Sequence, residues 1–173
     1  MCIYFIFSPI CAILMIQEVY HMIDSHELRR RDSYLNKLIG FQDTEPVKVI
    51  TGIRRSGKSY LLNTLFYNHL IAENIAEDHI IKFAFDSADD LLKIGEDPIV
   101  LDEDRKVDPS KFLNWLQPQI ADKEMHYILL DEVQKLGAFE SVMNGFLRKS
   151  NLDVYVTGSN SKFLSKDILT EFE

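Results

Sequence analysis

Apolar positions along the chain change their period several times, and each change marks an element. Leu28, Leu35, Leu38 and Ile39 form the apolar set of a helix running to about Ile39. Asp24 and Ser25 stand where helix caps are preferred, and Gly40 follows the last apolar residue. Gln42 to Pro46 is a short loop, and Val47 to Thr51 predicts a buried strand. Leu61, Leu62, Leu65, Phe66, Leu70 and Ile71 predict a helix, and Ile80 to Phe85 a second strand. Asp86 to Asp108 holds nine carboxylates against three basic residues and reads as solvated loop and surface helix. Asp108-Pro109 puts a capping side chain before a proline at the first helical position. That helix carries Phe112, Leu113, Trp115 and Leu116, and Pro118 is expected to kink it. Tyr127 to Leu130 is the third strand, ending at Asp131-Glu132. Phe139, Val142, Met143, Phe146 and Leu147 line the next helix. Val154 to Val156 is a fourth strand, and a last helix starts near Lys162.

Strands separated by helices imply right-handed crossovers, hence an α/β fold with a parallel sheet and helices on both faces. Ligands of such sheets bind beyond the carboxyl ends of the strands. The polar motifs of this chain fall at those ends.

A length of 173 residues allows one ordinary domain, or one plus an incomplete second. The apolar and charged fractions, 46% and 27%, are those of a globular protein with a real core. A net charge of −8 argues against broad binding to nucleic-acid phosphates. The one basic run, Arg29-Arg30-Arg31 near Lys37, reads as a solvated helix face. His21, His26, His69, His79 and His126 are scattered without ligand spacing and read as structural or surface residues. Cys2 and Cys11 are followed by 162 residues without cysteine, which suits a reducing cytoplasm. Fourteen of the first sixteen residues are apolar. The stretch is shorter than the roughly 20 residues of a spanning helix, which argues against a membrane partner, and it lacks the flanks of a signal peptide. The expected division is a leader over 1–21 with a natural start at Met22, an N-terminal helix and loop over 22–45, and a core over 46–173.

Gly52 to Ser59 fits G-x-x-x-x-G-K-S between a predicted strand and helix, the setting of a phosphate-binding loop. Gly52 and Gly57 let the backbone curl so that N–H groups point inward as an anion nest, seated on a helix N-terminus. Lys58 is the residue expected to reach the β- and γ-phosphates of ATP, and the Ser59 hydroxyl to ligate Mg²⁺. Ile53, Arg54, Arg55, Ser56 and Tyr60 complete the nucleotide-binding segment, with both arginine side chains read as facing solvent. The apolar strand ending in Asp131-Glu132 is the matching partner: Asp131 for the magnesium, and Glu132 as the base orienting the attacking water. Thr157, Ser159 and Asn160 end the fourth strand. Asn160 is the candidate catalytic group if that strand inserts between the other two motif strands; the competing reading is an ordinary helix cap.

These residues resemble the prokaryotic AAA-type ATPases that carry a variable C-terminal domain. The matching stretches are Ile50 to Ser59, Leu129 to Gln134 and Tyr155 to Leu164, and the similarity runs from about Met22 to Phe172. The resemblance implies a three-layer αβα P-loop NTPase fold of AAA/RecA type. It also implies ATP hydrolysis through Lys58, Ser59, Asp131 and Glu132, and homo-oligomeric contacts. In that family an arginine-glycine-arginine segment follows the equivalent of Thr170-Glu171-Phe172, then a further strand; here Glu173 stands at the first arginine. The sheet is therefore expected to lack its C-terminal strand, leaving Val47 to Thr51 as an open edge unless Cys2 to Phe7 covers it. Two other functions compete with Mg-ATP hydrolysis: a nucleotide-dependent switch with little turnover, and an ATPase acting on nucleic acid.

Overall fold

Among the described residues, each polar motif hangs from one of four parallel strands, which lie side by side in the order β1-β4-β3-β2. The computed structural model describes residues 32–44, 47–99 and 105–159. The chain divides into two units, residues 1–37 and 38–173. Helix α1 covers residues 32–40, and within the first unit the Lys37 ammonium lies 5.6 Å from the centre of the Tyr34 ring. The predicted helix start at Asp24, the apolar leader and the helix from Lys162 lie outside the described residues.

In the second unit, β1 is Lys48–Gly52 and leads through the glycine-rich loop into α2. Helix α2 opens as Lys58–Tyr60, widens into a π-helical stretch over Leu61–Phe66, and closes as Tyr67–Ala72. Next come β2 (Ile80–Ala84), α3 (Ala88–Lys93), α4 (Pro109–Leu116), β3 (His126–Asp131), α5 (Phe139–Phe146) and β4 (Leu152–Ser159). Helix α3 is capped by the Ser87 hydroxyl, and α4 by Asp108, whose carboxylate accepts from Ser110 N–H at 2.8 Å. Pro118 ends α4: the chain passes into a 3₁₀ turn, Gln117–Ile120, because proline cannot supply the next N–H.

Side chains alternate across a strand, so β3 and β4 carry two apolar faces. On one face Ile128, Leu130, Val154 and Val156 join Phe83 and Phe85 of the β2 segment, Phe112 and Leu116 of α4, and Met143 and Phe146 of α5. Aromatic rings dominate here: the Phe83 centre lies 5.0 Å from Trp115 and 5.2 Å from Phe112. Toward the other face α2 presents Leu62, Phe66 and Leu70, all fully buried, with Phe66 4.4 Å from the Tyr155 ring. Helices on both faces give the αβα layering. β3 is buried at every position because it has strands on either side and helices above and below.

Four expectations need correction. β1 is not a buried strand: only Lys48 is buried and Val49 is 39% exposed, because among the described residues β1 pairs with β4 alone. The acidic stretch is not all solvated. Leu91, Ile94 and Val107 enter the core, and buried Glu96 accepts Asp108 N–H and meets the Lys111 ammonium at 3.3 Å. Ile71, Leu113 and Leu147, counted as apolar-face positions, are 39%, 37% and 42% exposed because each falls at the margin of its helix's buried stripe. β4 is eight residues long where three were expected, since polar Asp153 and Thr157 are buried within it.

Asp153 organises the amino end of β1 and β4. Its carboxylate pairs with the Lys48 ammonium and accepts from Asp43 N–H at 2.8 Å and from the Tyr155 hydroxyl at 3.0 Å. Lys48 also donates to Thr44 O and lies 5.2 Å from the centre of the Tyr155 ring. Both charges are almost wholly buried, so neither tolerates losing its partner. Burial, with the Asp153 charge, pushes the Tyr155 phenol above its ordinary value. Burial and the hydrogen bond to Asp43 do the same for Tyr127. Replacing Asp153 with alanine is expected to cost about 3–5 kcal/mol in urea denaturation, since it strands Lys48 in the interior. Stability should also fall as pH rises above about 10: the unfolded tyrosines then release protons that the folded ones retain.

Candidate functional site

The loops after β1 and β3 leave the carboxyl end of the sheet on either side of the end of β4. Parallel register sets Gly52 opposite Ser159 and Leu130 opposite Val156, so the residues that follow Leu130 and Val156 lie side by side.

The loop after β1 turns because two of its residues adopt left-handed backbone, Arg55 at φ 64° and Gly57 at φ 86°. Gly57 precedes the first turn of α2 and bears no side-chain cap, so the first N–H groups of that helix face the loop. Gly52 has a spatial reason to be glycine: a Cβ there would sit 3.0 Å from the Ser56 hydroxyl and 3.6 Å from Lys58 Cδ. The Lys58 side chain folds back under the loop, donating from Nζ to Gly52 O and Ile53 O, both at 3.1 Å. It is 8% exposed, and no carboxylate among the described residues pairs with it. Ile53, Arg54, Arg55, Ser56, Ser59 and Tyr60 are exposed, which agrees with the solvent-facing reading of the two arginines.

Beside the loop stands a compact polar cluster. Asp131, at the end of β3, is 5% exposed. One of its carboxylate oxygens accepts from the Thr157 hydroxyl, and the other from Asn63 Nδ2 at 3.4 Å. Thr157 in turn accepts the Glu132 N–H at 3.0 Å. Glu132 sits in left-handed backbone at φ 54°, a conformation few residues with a Cβ adopt, and its carboxylate accepts from the Gln134 amide. This kink turns the chain from β3 into the 3₁₀ turn Val133–Lys135.

The structure thus brings together the sequence-predicted Gly52–Ser59 loop, Asp131 and Glu132. Asn160 lies outside the described residues. Thr157 was read as one of several polar groups ending β4; its contacts with both acidic residues come from the register. Asn63 and Gln134 were not singled out. Asn63 follows Ser59 by four residues on one helix, which is the signal that sets both on the same face.

The family model for the AAA domain matches residues 44–173. The chain belongs to the AAA domain family. An AAA domain is a nucleotide-binding module of the ATPase type. An uncharacterized protein of Haemophilus influenzae is 32% identical over 142 residues, covering 81% of this chain and 32% of that protein. The uncharacterized protein MJ1544 of Methanocaldococcus jannaschii is 26% identical over 162 residues, covering 91% of this chain and 31% of that protein. This AAA domain therefore spans about a third of the length of these relatives. A chain in the structure of Drosophila ORC bound to AT-rich DNA and Cdc6 superposes with a TM-score of 0.52 at 11% identity, covering 96% of this chain and 59% of that one. At that identity the likeness is one of fold. No helix among the described residues is long and apolar enough to cross a membrane.

Thr157 is the joint of the acidic cluster, since its single hydroxyl serves both Asp131 and the Glu132 N–H. Thr157→Val should lower stability by about 1–3 kcal/mol in denaturant unfolding, because a buried carboxylate and an N–H lose their partner. Thr157→Ser should recover most of the loss.

Proposed function

We propose that this AAA domain binds Mg-ATP and hydrolyses it, with Lys58 and Ser59 holding phosphate and metal, Asp131 the metal, and Glu132 the attacking water. The observation that carries the reading is the state of Lys58: a buried ammonium held by two carbonyls of its own loop, at the mouth of a helix whose first N–H groups are uncapped. A cation and converging N–H groups form a site for an anion, and the loop pattern fits a polyphosphate. The residues present also fit magnesium, a hard cation that takes oxygen ligands: the Ser59 hydroxyl opens the helix, and the Asp131 carboxylate lies in the cluster beside the loop. Magnesium, when bound, neutralises charge developing between the β- and γ-phosphates.

The two acidic residues differ in setting, and this supports different roles. Asp131 is buried and fixed by Thr157 and Asn63, which suits a group that must not move. Glu132 is partly exposed, and its carboxylate is shared with the Gln134 amide, which suits a group that orients water and receives its proton. Ile53, Arg54, Arg55, Ser56 and Tyr60 complete the nucleotide-binding segment through the loop backbone, with both arginine side chains facing solvent.

Lys58→Ala is expected to weaken ATP binding at least about tenfold in calorimetry without altering the circular dichroism, since a charge-assisted hydrogen bond contributes about 1.5–3 kcal/mol. Unchanged affinity would remove the phosphate-loop assignment. Glu132→Gln should retain ATP while phosphate release slows by about 100-fold or more. If release in the unsubstituted chain is already no faster than in Glu132→Gln, the domain acts as a nucleotide-dependent switch instead.

A further inference from the structure

At the opposite end of the sheet from the phosphate loop, three side chains converge that the sequence keeps 47 residues apart. His79 and His126 each precede the first residue of the β2–β3 ladder, Ile80 paired with Tyr127, so the register sets them side by side. Their ring centres are 4.7 Å apart. Asp122 reaches them from the turn before β3: one carboxylate oxygen is 3.3 Å from His79 Nε2 and the other 3.7 Å from His126 Nε2. Ligand atoms from the three residues all lie within 4.8 Å of one another.

We propose that His79, Asp122 and His126 form a binding site for a divalent transition-metal cation of the zinc class. The tautomer of His126 supports this. Its Nδ1 lies 2.8 Å from Glu124 O, and a carbonyl only accepts, so Nδ1 carries the proton. In the neutral ring Nε2 then presents a lone pair toward the Asp122 carboxylate. A lone pair facing a carboxylate is repulsive unless a proton or a metal cation lies between them. A ligating histidine whose other nitrogen donates to a backbone carbonyl is the usual support of a metal site. The spacing also fits. Ligands about 2.0–2.1 Å from a tetrahedral centre are roughly 3.3 Å apart, the separation of His79 and Asp122. The longer separations close by small rotations of Asp122 and His79, whose side chains are 54% and 23% exposed, toward His126, which is 1% exposed and fixed.

The turn that carries Asp122 is already held in place. Asp122 Oδ1 accepts Glu124 N–H at 2.9 Å, Asp122 O accepts from Asn151 Nδ2 at 3.1 Å, and His126 N–H bonds Asn151 O at 2.9 Å. Two imidazoles and one carboxylate supply three ligands and leave a fourth position to water on the exposed side. The cluster is separated from Asp131 by the length of β3, about 16 Å. A metal here ties the starts of β2 and β3 together and stands apart from the nucleotide.

The test uses the whole chain, without nucleotide, and Zn²⁺ or Co²⁺ alone. One Zn²⁺ per chain should bind and raise the melting temperature, and Co²⁺ should give the visible absorption of a tetrahedral ion. His79→Ala and Asp122→Asn should each weaken binding at least about tenfold. Both lie at partly exposed positions, so apo circular dichroism and ATP affinity should stay unchanged. Two results overturn the proposal: no saturable binding below millimolar metal, or one-to-one binding that persists in the His79→Ala, Asp122→Asn double variant and so belongs to other residues.

Discussion

One hydroxyl group joins the two acidic residues of the site. Thr157 is fully buried, gives its proton to Asp131 and takes the N–H of Glu132, so one side chain of β4 fixes the ends of two others. This works only because β4 lies between β1 and β3. In any other order Thr157 would face a different neighbour, and neither the Asp131 carboxylate nor the Glu132 N–H would meet its hydroxyl. The strand that lies between the glycine-rich loop and the acidic residues is thus also the one that joins those two residues to each other.

The amino end of the same strand carries a second polar anchor. Asp153 binds the Lys48 ammonium, Asp43 N–H and the Tyr155 hydroxyl, and thereby ties β1 to β4 at the end away from the loop. β1 needs this support because β4 is its single described neighbour and most of its side chains are exposed or half-buried. An apolar edge strand held by one neighbour would slip or pair elsewhere; a buried ion pair has one register in which both charges are satisfied. The polar pairs of β4, one at each end, therefore set the register of the whole site.

Much of this was legible in the residues. The strand–glycine loop–helix pattern located β1 and the start of α2, and the apolar run into Asp131-Glu132 located β3. The helix cap at Asp108 forms as local rules require. Where pattern misled, burial had been inferred from one segment alone. Val47 to Thr51 looks like any apolar strand, yet its position at the edge of the described sheet leaves it partly exposed. Glu96 looks like one acid among nine, yet it is buried against Asp108 N–H and Lys111.

The sequence by itself determined the local chemistry: which backbone could curl around an anion, where helices begin, and which strands end in oxygen ligands. These follow from short-range sterics and from periods of two and 3.6 residues, which are visible within a dozen positions. Only the tertiary structure decided which ends meet. The Asp131–Thr157–Glu132 linkage, the Asn63 contact across α2 and the His79–Asp122–His126 cluster each join residues far apart in the chain. Parallel register and the order of strands, which no local pattern contains, bring them within a few ångströms.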